Sequence, residues 1–306
     1  MFDNQDVIVM MSTYNGEKYL KEQVNSILNQ KEVSVHLIVR DDGSTDNTLK
    51  ILNEYQKEGK LEYYKGRNLG PAKSFLDIIN SKSLSEIQAN YFAFSDQDDI
   101  WKSDKLIRAI NIISTSDEPY LYCADFQRID QDGRYLKNNF HFTTSTFNQS
   151  VVCSYCTGCT MVFNYSLLEK IRIGKPDYLL MHDDWIHKVC LAIGGKVFFD
   201  REYRAVLYRQ HEGNVVGSRA GLTQKIKNLY KRSHDQKDCM YKEYAEIMEI
   251  YKQIIPKPQL DVINQILEYK KKNVVSRLKW CLQKKFRIHP IKLAKEFVLG
   301  ILFKFY

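Results

Sequence analysis

The sequence predicts an α/β fold, in which a mostly parallel central sheet is flanked by helices, followed by a helical, basic C-terminal extension. Short apolar runs alternate with longer stretches whose apolar residues recur at helical spacing. Gly, Asn, Asp and Ser residues follow several of these runs, as is typical where strands end in turns. Carboxylates also collect directly after the runs. The carboxyl ends of parallel strands are where α/β sheets place their functional groups.

The first half of the chain alternates strand and helix. Apolar residues 7–11 are typical of a buried parallel strand, and the turn residues 12–16 end it. Helical spacing resumes at Tyr19, and again near Thr48 and Ala72. The later strands of this half are predicted at residues 35–39, 61–64 and 91–94.

The second half is mixed. Residues 130–133 read as a turn, and a helix opens at residues 181–185. The polar segment 138–150 is expected to be a mobile or acceptor-facing loop. Strands are predicted at residues 120–125, 158–163, 196–199 and 205–208.

The positive charge is confined to the C-terminal part of the chain. The net charge is +8, yet residues 221–306 hold 19 Lys and Arg against 8 Asp and Glu, so the first 220 residues carry a net charge of −3. This distribution argues against a nucleic-acid-binding core. It favours a tail that meets an anionic surface.

The seven cysteines are interpreted as reduced thiols of a cytoplasmic protein. The number is odd, and the N-terminus lacks the basic and then apolar pattern of a signal peptide. Cys153, Cys156 and Cys159 form a CxxCxxC run, but no second Cys/His group lies at a ligand-like spacing. No apolar run reaches the ~18–20 residues that span a bilayer.

The most informative acidic stretch is residues 94–101, in which Asp96, Asp98 and Asp99 follow a predicted buried strand. Three neighbouring carboxylates repel one another, and a divalent cation is the simplest compensation. Mg²⁺ and Mn²⁺ prefer such oxygen ligands. The alternative is a polar loop in which Asp98, Asp99 or Ser103 caps the next helix.

A second acidic turn, Asp41 to Ser44, follows the second predicted strand. A carboxylate there is well placed to accept the imide N–H of uracil or thymine. The alternative is a turn and helix cap without a ligand. No GxGxxG motif follows the first strand and no Walker lysine motif is present, which weakens dinucleotide and P-loop interpretations.

Taken in order, these motifs resemble the family 2 glycosyltransferases with the GT-A fold. The matching segments lie within about residues 5–217, and the last three resemble the bacterial rhamnosyltransferase-like branch. The resemblance implies a catalytic domain at residues 1–219 and an extension at 220–306. The segments are 12–16, 41–44, 68–70, 96–99, 158–164, 182–185 and 208–211.

The resemblance implies a set of site residues. The donor would be bound by Ser12, Tyr14, Asn15, Asp41, Asp42 and Asp96, with Arg67 and Lys73 as phosphate contacts or, equally, solvated charges. Mg²⁺ or Mn²⁺ would be held by Asp96, Asp98 and His211, although His211 could instead be a structural histidine. Asp183 would be the general base, with Asp184 as the other candidate. Trp101 and Trp185 would either stack on sugar rings or pack in the core.

The implied activity is inverting, metal-dependent sugar transfer from a dTDP- or UDP-sugar, with dTDP-rhamnose as the first expectation. The acceptor would be a hydroxyl of a growing bacterial surface or cell-wall glycan, free or lipid-linked. The alternatives are transfer to polyprenyl phosphate, or a silent module that binds glycan or nucleotide. A nucleotidyltransferase is disfavoured because no glycine-rich lysine signature accompanies the carboxylates.

The tail has its own prediction. Residues 270–306 hold 11 Lys and Arg, a single Glu and many bulky apolar residues. This mixture is typical of helices that lie in a membrane interface. Anionic lipid attracts each nearby cation by about 1 kcal/mol. The chain is therefore expected to be peripheral on the cytoplasmic face of the inner membrane. The alternative is a helical bundle packed on the catalytic domain, or a dimer contact.

Overall fold

A computed structural model describes residues 5–138, 146–153, 156–211, 238–286, 288 and 291–302. The strands are β1 Asp6–Thr13, β2 Ser34–Asp41, β3 Glu62–Lys65, β4 Tyr91–Ser95, β5 Ile100–Trp101, β6 Tyr120–Ile129, β7 Val162–Asn164 and β8 Lys196–Arg209. The helices of the first half are α1 Leu20–Leu28, α2 Thr48–Lys57, α3 Pro71–Ile79, α4 Lys82–Glu86 and α5 Lys105–Ile113. Those that follow are α6 Phe147–Val152, α7 Tyr165–Ile171, α8 His182–Ala192, α9 Cys239–Tyr251, α10 Lys257–Glu268, α11 Val274–Cys281 and α12 Ile291–Leu302.

The described strands form one mixed sheet of eight strands in the order β3-β2-β1-β4-β7-β6-β8-β5. The first four are parallel, β7 is antiparallel to both β4 and β6, and β6 and β8 run parallel. β1 has β2 on one side and β4 on the other, so the strand order reverses at β1. Such a switch point opens a crevice at the carboxyl ends of the strands.

The register brings three turns to that crevice. Thr13 pairs with Asp41 at the end of β1 and β2, and Met11 pairs with Ser95 at the end of β4. Val7 to Met11 are fully buried, as the continuous apolar run requires of a strand covered on both faces. The turns after β1, β2 and β4 therefore meet above the same edge of the sheet.

The α/β class with C-terminal helices is confirmed, and three local expectations are corrected. Residues 158–163 are not one strand, because Gly158–Thr160 form a 3₁₀ turn before β7. The strands expected at 196–199 and 205–208 are one strand, β8, whose pairing with β6 shifts register near Asp125. The expected loop 138–150 contains the start of α6, while residues 139–145 lie outside the described part.

The C-terminal helices share a hydrophobic core with the sheet. Tyr244, Ile247 and Tyr251 of α9 are buried in the same cluster as Trp185 of α8. The rings of Trp185 and Tyr251 lie 6.3 Å apart. The cluster continues through Trp280 and the residues Phe286, Phe297 and Ile301. The described part of the tail thus packs as the bundle that the sequence left as an alternative; residues 212–237 lie outside the description.

Among the described residues, no helix combines the length and apolar character needed to cross a bilayer.

Candidate active site

The turns after β1 and β2 interlock through Asn15. Its backbone adopts a left-handed conformation with φ of 48°, which asparagine tolerates better than most residues. Its N–H donates to the Ser44 hydroxyl at 2.9 Å, and its side-chain oxygen accepts from the Thr45 N–H at 2.8 Å. Gly16 N–H donates to the Thr48 hydroxyl at 2.8 Å. These bonds hold the exposed Tyr14 and Asn15 beside the second turn.

Gln97 joins the first turn to the acidic segment. Its side-chain amide accepts from the Tyr14 N–H at 2.9 Å and donates to the Tyr14 carbonyl at 3.0 Å. A Cβ on residue 16 would lie 2.2 Å from the Gln97 amide oxygen, so this approach requires Gly16. Sequence reasoning missed Gln97, because its role depends on a partner 83 residues away.

The β2 turn, residues 41–44, is internally bonded. Oδ1 of Asp41 accepts from the N–H groups of Gly43 and Ser44, at 3.0 and 2.8 Å. Its Oδ2 accepts from the hydroxyls of Thr13 and Ser44. Asp41 is fully buried. These contacts make Asp41 the support of the turn, and its expected share in nucleoside binding stays a prediction.

Asp42 lies against the buried guanidinium of Arg40. Both side chains are almost inaccessible to solvent, and Oδ1 of Asp42 accepts from Arg40 and from the Leu69 N–H. Oδ2 accepts from the Gly70 N–H at 2.9 Å. The described contacts to Oδ2 therefore leave it capacity for another donor. Asp42 thus anchors the 66–70 loop, and its expected contact with a base stays a prediction.

The remaining predicted donor residues surround this turn. The Ser12 hydroxyl lies 2.7 Å from that of Ser74, which fixes α3 against β1. Arg67 and Lys73 have exposed side chains, and the Arg67 carbonyl accepts from Arg40 at 3.0 Å. The structure places all three around the same crevice, and their contacts with a donor stay predictions.

Asp98 and His211 meet in the β4 turn, residues 96–99. Oδ2 of Asp98 lies 2.6 Å from Nε2 of His211, across 113 positions of sequence. His211 directly follows β8, whose pairing with β5 carries it to the site. The structure thus brings together two of the three predicted metal ligands.

Arg209 holds Asp98 and its neighbour Asp99 in place. Its side chain is 3% exposed, its Nε donates to the Asp98 carbonyl at 2.9 Å, and its backbone N–H donates to Asp99 Oδ1 at 3.0 Å. Its guanidinium pairs with Glu22 at 2.6 Å and lies over the ring of Tyr19. The sequence shows Arg209 only as part of the 208–211 motif and does not indicate a role. Because Arg209 is a buried charge that contacts the β4 turn, we interpret it as a positioning residue.

A buried acidic cluster lies beneath the β4 turn. Ligand-type atoms of Asp96, Asp99 and Cys159 all lie within 4.8 Å of one another. Burial, with the charges of Asp98 and Asp183, raises the pKa of Asp96 to about 7. Burial and the charges of Asp98 and Asp96 also raise the pKa of Asp99 well above its ordinary value. Asp99 is not a helix cap, because short strand β5 follows it and α5 begins only at Lys105.

Lys105 offers this cluster little compensation. It is fully buried, and its Nζ has no hydrogen-bond partner among the described residues. Burial lowers its pKa well below the ordinary value, although the charges of Cys159, Asp99 and Asp96 oppose that shift. Sequence patterns carry no signal for Lys105, since it lies on the apolar face of an amphipathic helix.

The residues present fit a divalent cation. Asp96 and Asp98 supply carboxylate oxygens and His211 a ring nitrogen, a donor set suited to Mn²⁺ and Mg²⁺. Cys159 fits less well, because a soft thiol suits other metals and burial raises the pKa of this thiol well above its ordinary value. The repelling carboxylates would be relieved by such an ion.

Asp183 lies in the first turn of α8, and buried side chains on both sides anchor it. His182 stacks on Phe75 with ring centroids 3.9 Å apart, and Trp185 is fully buried. Oδ2 of Asp183 accepts from the Gly158 N–H at 3.0 Å, and Oδ1 accepts from the Asp184 N–H at 2.8 Å. Burial raises the pKa of Asp183 to about 6. A carboxyl with that pKa is suited to accepting a proton near neutrality.

Asp184 is engaged in an ion pair. Its Oδ2 lies 2.6 Å from Nζ of Lys188, one turn along α8. A carboxylate held by an ammonium is a weaker base than one without such a partner. The geometry therefore favours Asp183 over Asp184 as the proton acceptor.

The two tryptophans are core residues. Trp185 is fully buried and Trp101 is 4% exposed, so neither offers a face to a sugar ring. Of the two roles expected for these residues, packing in the core is confirmed.

Residues 8–172 match the family described as Glycosyl transferase family 2. A relative named dTDP-rhamnosyl transferase RfbG, from Shigella flexneri, is 30% identical over 241 residues, covering 72% of this chain and 78% of the relative.

Solved structures with the same fold extend further along the chain. S. aureus TarS, crystallised with UDP-GlcNAc, is 19% identical with a TM-score of 0.61, over 97% of this chain and 82% of that one. The mannosyltransferase PcManGT of Pyrobaculum calidifontis, in complex with GDP-Man and Mn²⁺, is 13% identical with a TM-score of 0.52, over 97% and 86% of the two chains. Both likenesses reach across the C-terminal helices.

Proposed function

We propose a specific reaction for this chain, which belongs to glycosyl transferase family 2 and is an enzyme that transfers a sugar from a nucleotide-sugar donor. The reaction is inverting transfer of a deoxyhexose, first of all rhamnose from dTDP-rhamnose, to a hydroxyl group of a growing bacterial surface or cell-wall glycan. The dTDP-rhamnosyl transferase relative supports the choice of donor.

One set of contacts carries the mechanism. Asp183 accepts from the Gly158 N–H at 3.0 Å, and the thiol of the next residue, Cys159, lies within 4.8 Å of the carboxylates of Asp96 and Asp99. A candidate base and a candidate cation site therefore lie within each other's electrostatic field. Sugar transfer from a nucleotide diphosphate requires that proximity, because proton acceptor and leaving group act on the two sides of one anomeric carbon.

In this mechanism Asp183 accepts the proton of the acceptor hydroxyl while that oxygen attacks the anomeric carbon. The bond between the anomeric carbon and the diphosphate oxygen breaks on the opposite face, which inverts the configuration. The nucleoside diphosphate keeps the bonding electron pair. Mg²⁺ or Mn²⁺, when bound by Asp96, Asp98 and His211, would supply charge neutralisation for the departing diphosphate.

The donor pocket is assigned to the interlocked turns. The exposed Tyr14 and Asn15 would receive the nucleoside, with Oδ2 of Asp42 as the acceptor for a base N–H and with Asp41 and Ser12 as supports. Arg67 and Lys73 flank Leu69 and Gly70, whose N–H groups Asp42 holds, and they would meet the diphosphate. Asp96 would lie between the ribose and the cation.

The test is release of nucleoside diphosphate from a panel of sugar nucleotides. We expect the fastest turnover with dTDP-rhamnose and Mn²⁺, and loss of turnover with EDTA. A preference for a UDP-hexose would mean that dTDP-rhamnose is not the donor. Unchanged rates in EDTA would exclude a metal from the mechanism. Anomeric configuration of the product, read by NMR coupling constants, tests inversion.

We assign contact with the acceptor-bearing membrane to a surface on α11, which we call the basic–apolar face. Val274, Val275 and Leu278 are exposed there, and Leu282 follows them. Exposed lysines flank the stripe at Lys271, Lys279, Lys284 and Lys295. Apolar groups among cations match an anionic bilayer surface. This face lies within the proposed extension, residues 220–306.

Vesicle sedimentation tests the basic–apolar face. We expect the protein to sediment with vesicles containing phosphatidylglycerol and less with neutral vesicles. Val275→Glu with Leu278→Glu should abolish sedimentation while leaving activity on a soluble acceptor intact. Point substitutions are preferable to deleting residues 270–306, because Trp280 and Phe297 belong to the main core. Equal sedimentation of the double variant would exclude this face.

A further inference from the structure

Helix α9 contributes a buried carboxylate that contacts α8, the helix that carries the candidate general base Asp183. Glu243 is fully buried, although it lies 60 positions beyond Asp183 in the sequence and outside the residues that match the family. Its Oε2 pairs with Nζ of Lys188 at 2.6 Å, and its Oε1 accepts from the Leu180 N–H at 2.9 Å. A buried charge persists only where partners stabilise it. This pair therefore has a geometry that the fold maintains.

Lys188 joins Glu243 to the neighbour of the candidate base. The same Nζ lies 2.6 Å from Oδ2 of Asp184, so one ammonium bridges two carboxylates. Burial opposes the charge of Lys188, yet Asp184 and Glu243 together hold its pKa well above the ordinary value. The bridge ties the first turn of α8, which carries Asp183, to α9.

A second pair of contacts supports the loop that leads into α8. Glu246, one turn along α9, accepts from the N–H groups of Asp177 and Tyr178 at 3.1 and 3.2 Å. Together with the bond from Leu180 to Glu243, three backbone N–H groups before α8 are held by α9. The position of the α8 N-terminus is thus set from outside the predicted catalytic domain.

We propose that Glu243 is a positioning residue for Asp183, acting through Lys188 and Asp184, so that the catalytic unit includes α9. The inference rests on the proposed role of Asp183 as base. Glu243 holds Lys188, and Lys188 draws the Asp184 carboxylate along α8. The Asp184 N–H then remains available to Oδ1 of Asp183, which fixes that carboxylate toward the acceptor side of the crevice.

The arrangement also explains why two adjacent aspartates coexist at one helix end. Asp183 and Asp184 repel each other, and the charge of Asp184 contributes to the raised pKa of Asp183. The ammonium group of Lys188, paired with Asp184, reduces that repulsion. Without Glu243, Lys188 would lose its buried anchor and the two carboxylates would be free to exchange roles.

Glu243→Gln tests the proposal because it keeps the size of the side chain and removes its charge. We expect kcat to fall about 10- to 100-fold, as displacement of a catalytic group does, while KM for the nucleotide sugar stays within about twofold. Glu246→Gln is the matched control: its amide oxygen can still accept from the backbone of the same loop, as that of Gln at position 243 can, and the side chain does not touch Lys188. This control should keep kcat within about twofold. Thermal unfolding of both variants monitors the fold, and the midpoint of each should lie well above the assay temperature.

A kcat for Glu243→Gln equal to that of Glu246→Gln would overturn the proposal. If Glu243→Gln does not fold, the double variant Lys188→Met with Glu243→Leu carries the test, because it replaces the buried pair by apolar residues and leaves only Asp184, which is 19% exposed, without its ammonium. Undiminished kcat in that double variant would likewise overturn it.

Asp183→Asn, measured in parallel, separates the two levels of inference. If it is inactive while Glu243→Gln is fully active, the coupling to α9 is wrong and the base assignment stands. If Asp183→Asn is active, the base assignment itself fails.

Discussion

Two turns of this molecule carry adjacent aspartates at the end of a parallel strand, and they are built in opposite ways. In the β2 turn, Asp41 and Asp42 are buried and satisfied by backbone N–H groups, hydroxyls and Arg40. In the β4 turn, Asp96 and Asp99 are crowded by other carboxylates, and burial raises their pKa values. The sequence signals are alike, and the physical states are not.

The difference separates shape from chemistry. A carboxylate with several internal donors is stabilised in its charged form and gives a rigid turn. Carboxylates that repel one another store unfavourable energy that a cation or a proton relieves. In the proposed mechanism the β2 turn would therefore act as a preformed wall for a nucleoside, whereas the β4 turn and Asp183 would bind cations and protons.

The largest expected effect is on catalysis and comes from Asp183, a buried carboxyl group whose pKa is raised. Asp183→Asn should lower kcat by about 10²- to 10⁴-fold, because it removes the proton acceptor. Donor binding, measured by calorimetry, should be unchanged. In the wild type the rate should decline below pH 6, as the carboxyl with its pKa of about 6 becomes protonated. Full activity of the variant would move the base to Asp184.

A substitution in the β2 turn should change the free energy of unfolding. Asp42→Asn removes the charge partner of buried Arg40 and should reduce the free energy of unfolding by about 3 kcal/mol. Urea titration monitored by circular dichroism measures it. Asp77→Asn is the control: Asp77 also pairs with Arg40 but is 46% exposed, and its loss should cost below about 1 kcal/mol. Equal costs would show that Asp42 is not the main anchor.

Metal binding should sharpen the contrast between the turns. Mn²⁺ at about 100 times its dissociation constant should add about 2.7 kcal/mol to wild-type stability. Asp98→Ala should lose that gain, and Asp42→Asn should keep it. Thermal shift assays with and without Mn²⁺ give the comparison. A Mn²⁺ shift that survives in Asp98→Ala would place the cation elsewhere.

The smallest effect is a gain. On folding, the pKa of Asp96 rises from 3.8 to about 7, so its ionised form costs stability above pH 7, and the cost disappears as pH falls toward 3.8. A rise of about three pKa units corresponds to at most about 4 kcal/mol. Because Asp96 is only partly buried and solvent screens its charge, we expect Asp96→Asn to stabilise the metal-free protein by about 1 kcal/mol at pH 8 and to have little effect near pH 4. Destabilisation at pH 8 would contradict the repulsion inferred for the β4 turn.

Much of the fold was predictable because local patterns decided it. Residues 7–11 and 91–94 are apolar runs that only a strand covered on both faces accommodates, and both lie in the sheet as expected. The errors fell where neighbours decided the conformation. Residues 158–160 form a 3₁₀ turn whose Gly158 lies against His182 and Asp183, and β8 bends to follow β6.

The sequence singles out the carboxylates and the histidine of the candidate site but not the contacts among them. Asp96, Asp98, Asp183 and His211 each follow a local motif, whereas Gln97, Arg209 and Glu243 act through partners distant in sequence. Their residue types are ordinary on any surface. What gives them roles is burial, since a charge taken out of water requires a partner, and only the fold supplies one.

The amino-acid sequence by itself determined the strand and helix order, the family and the carboxylates at the strand ends, because periodicity and turn chemistry are local properties. The tertiary structure decided which aspartates are satisfied and which repel, that Asp184 is paired, and that α9 contacts α8 through Glu243 and Lys188. Those outcomes depend on distances between segments far apart in the chain, and the strength of a charge interaction in a protein depends on distance and burial together.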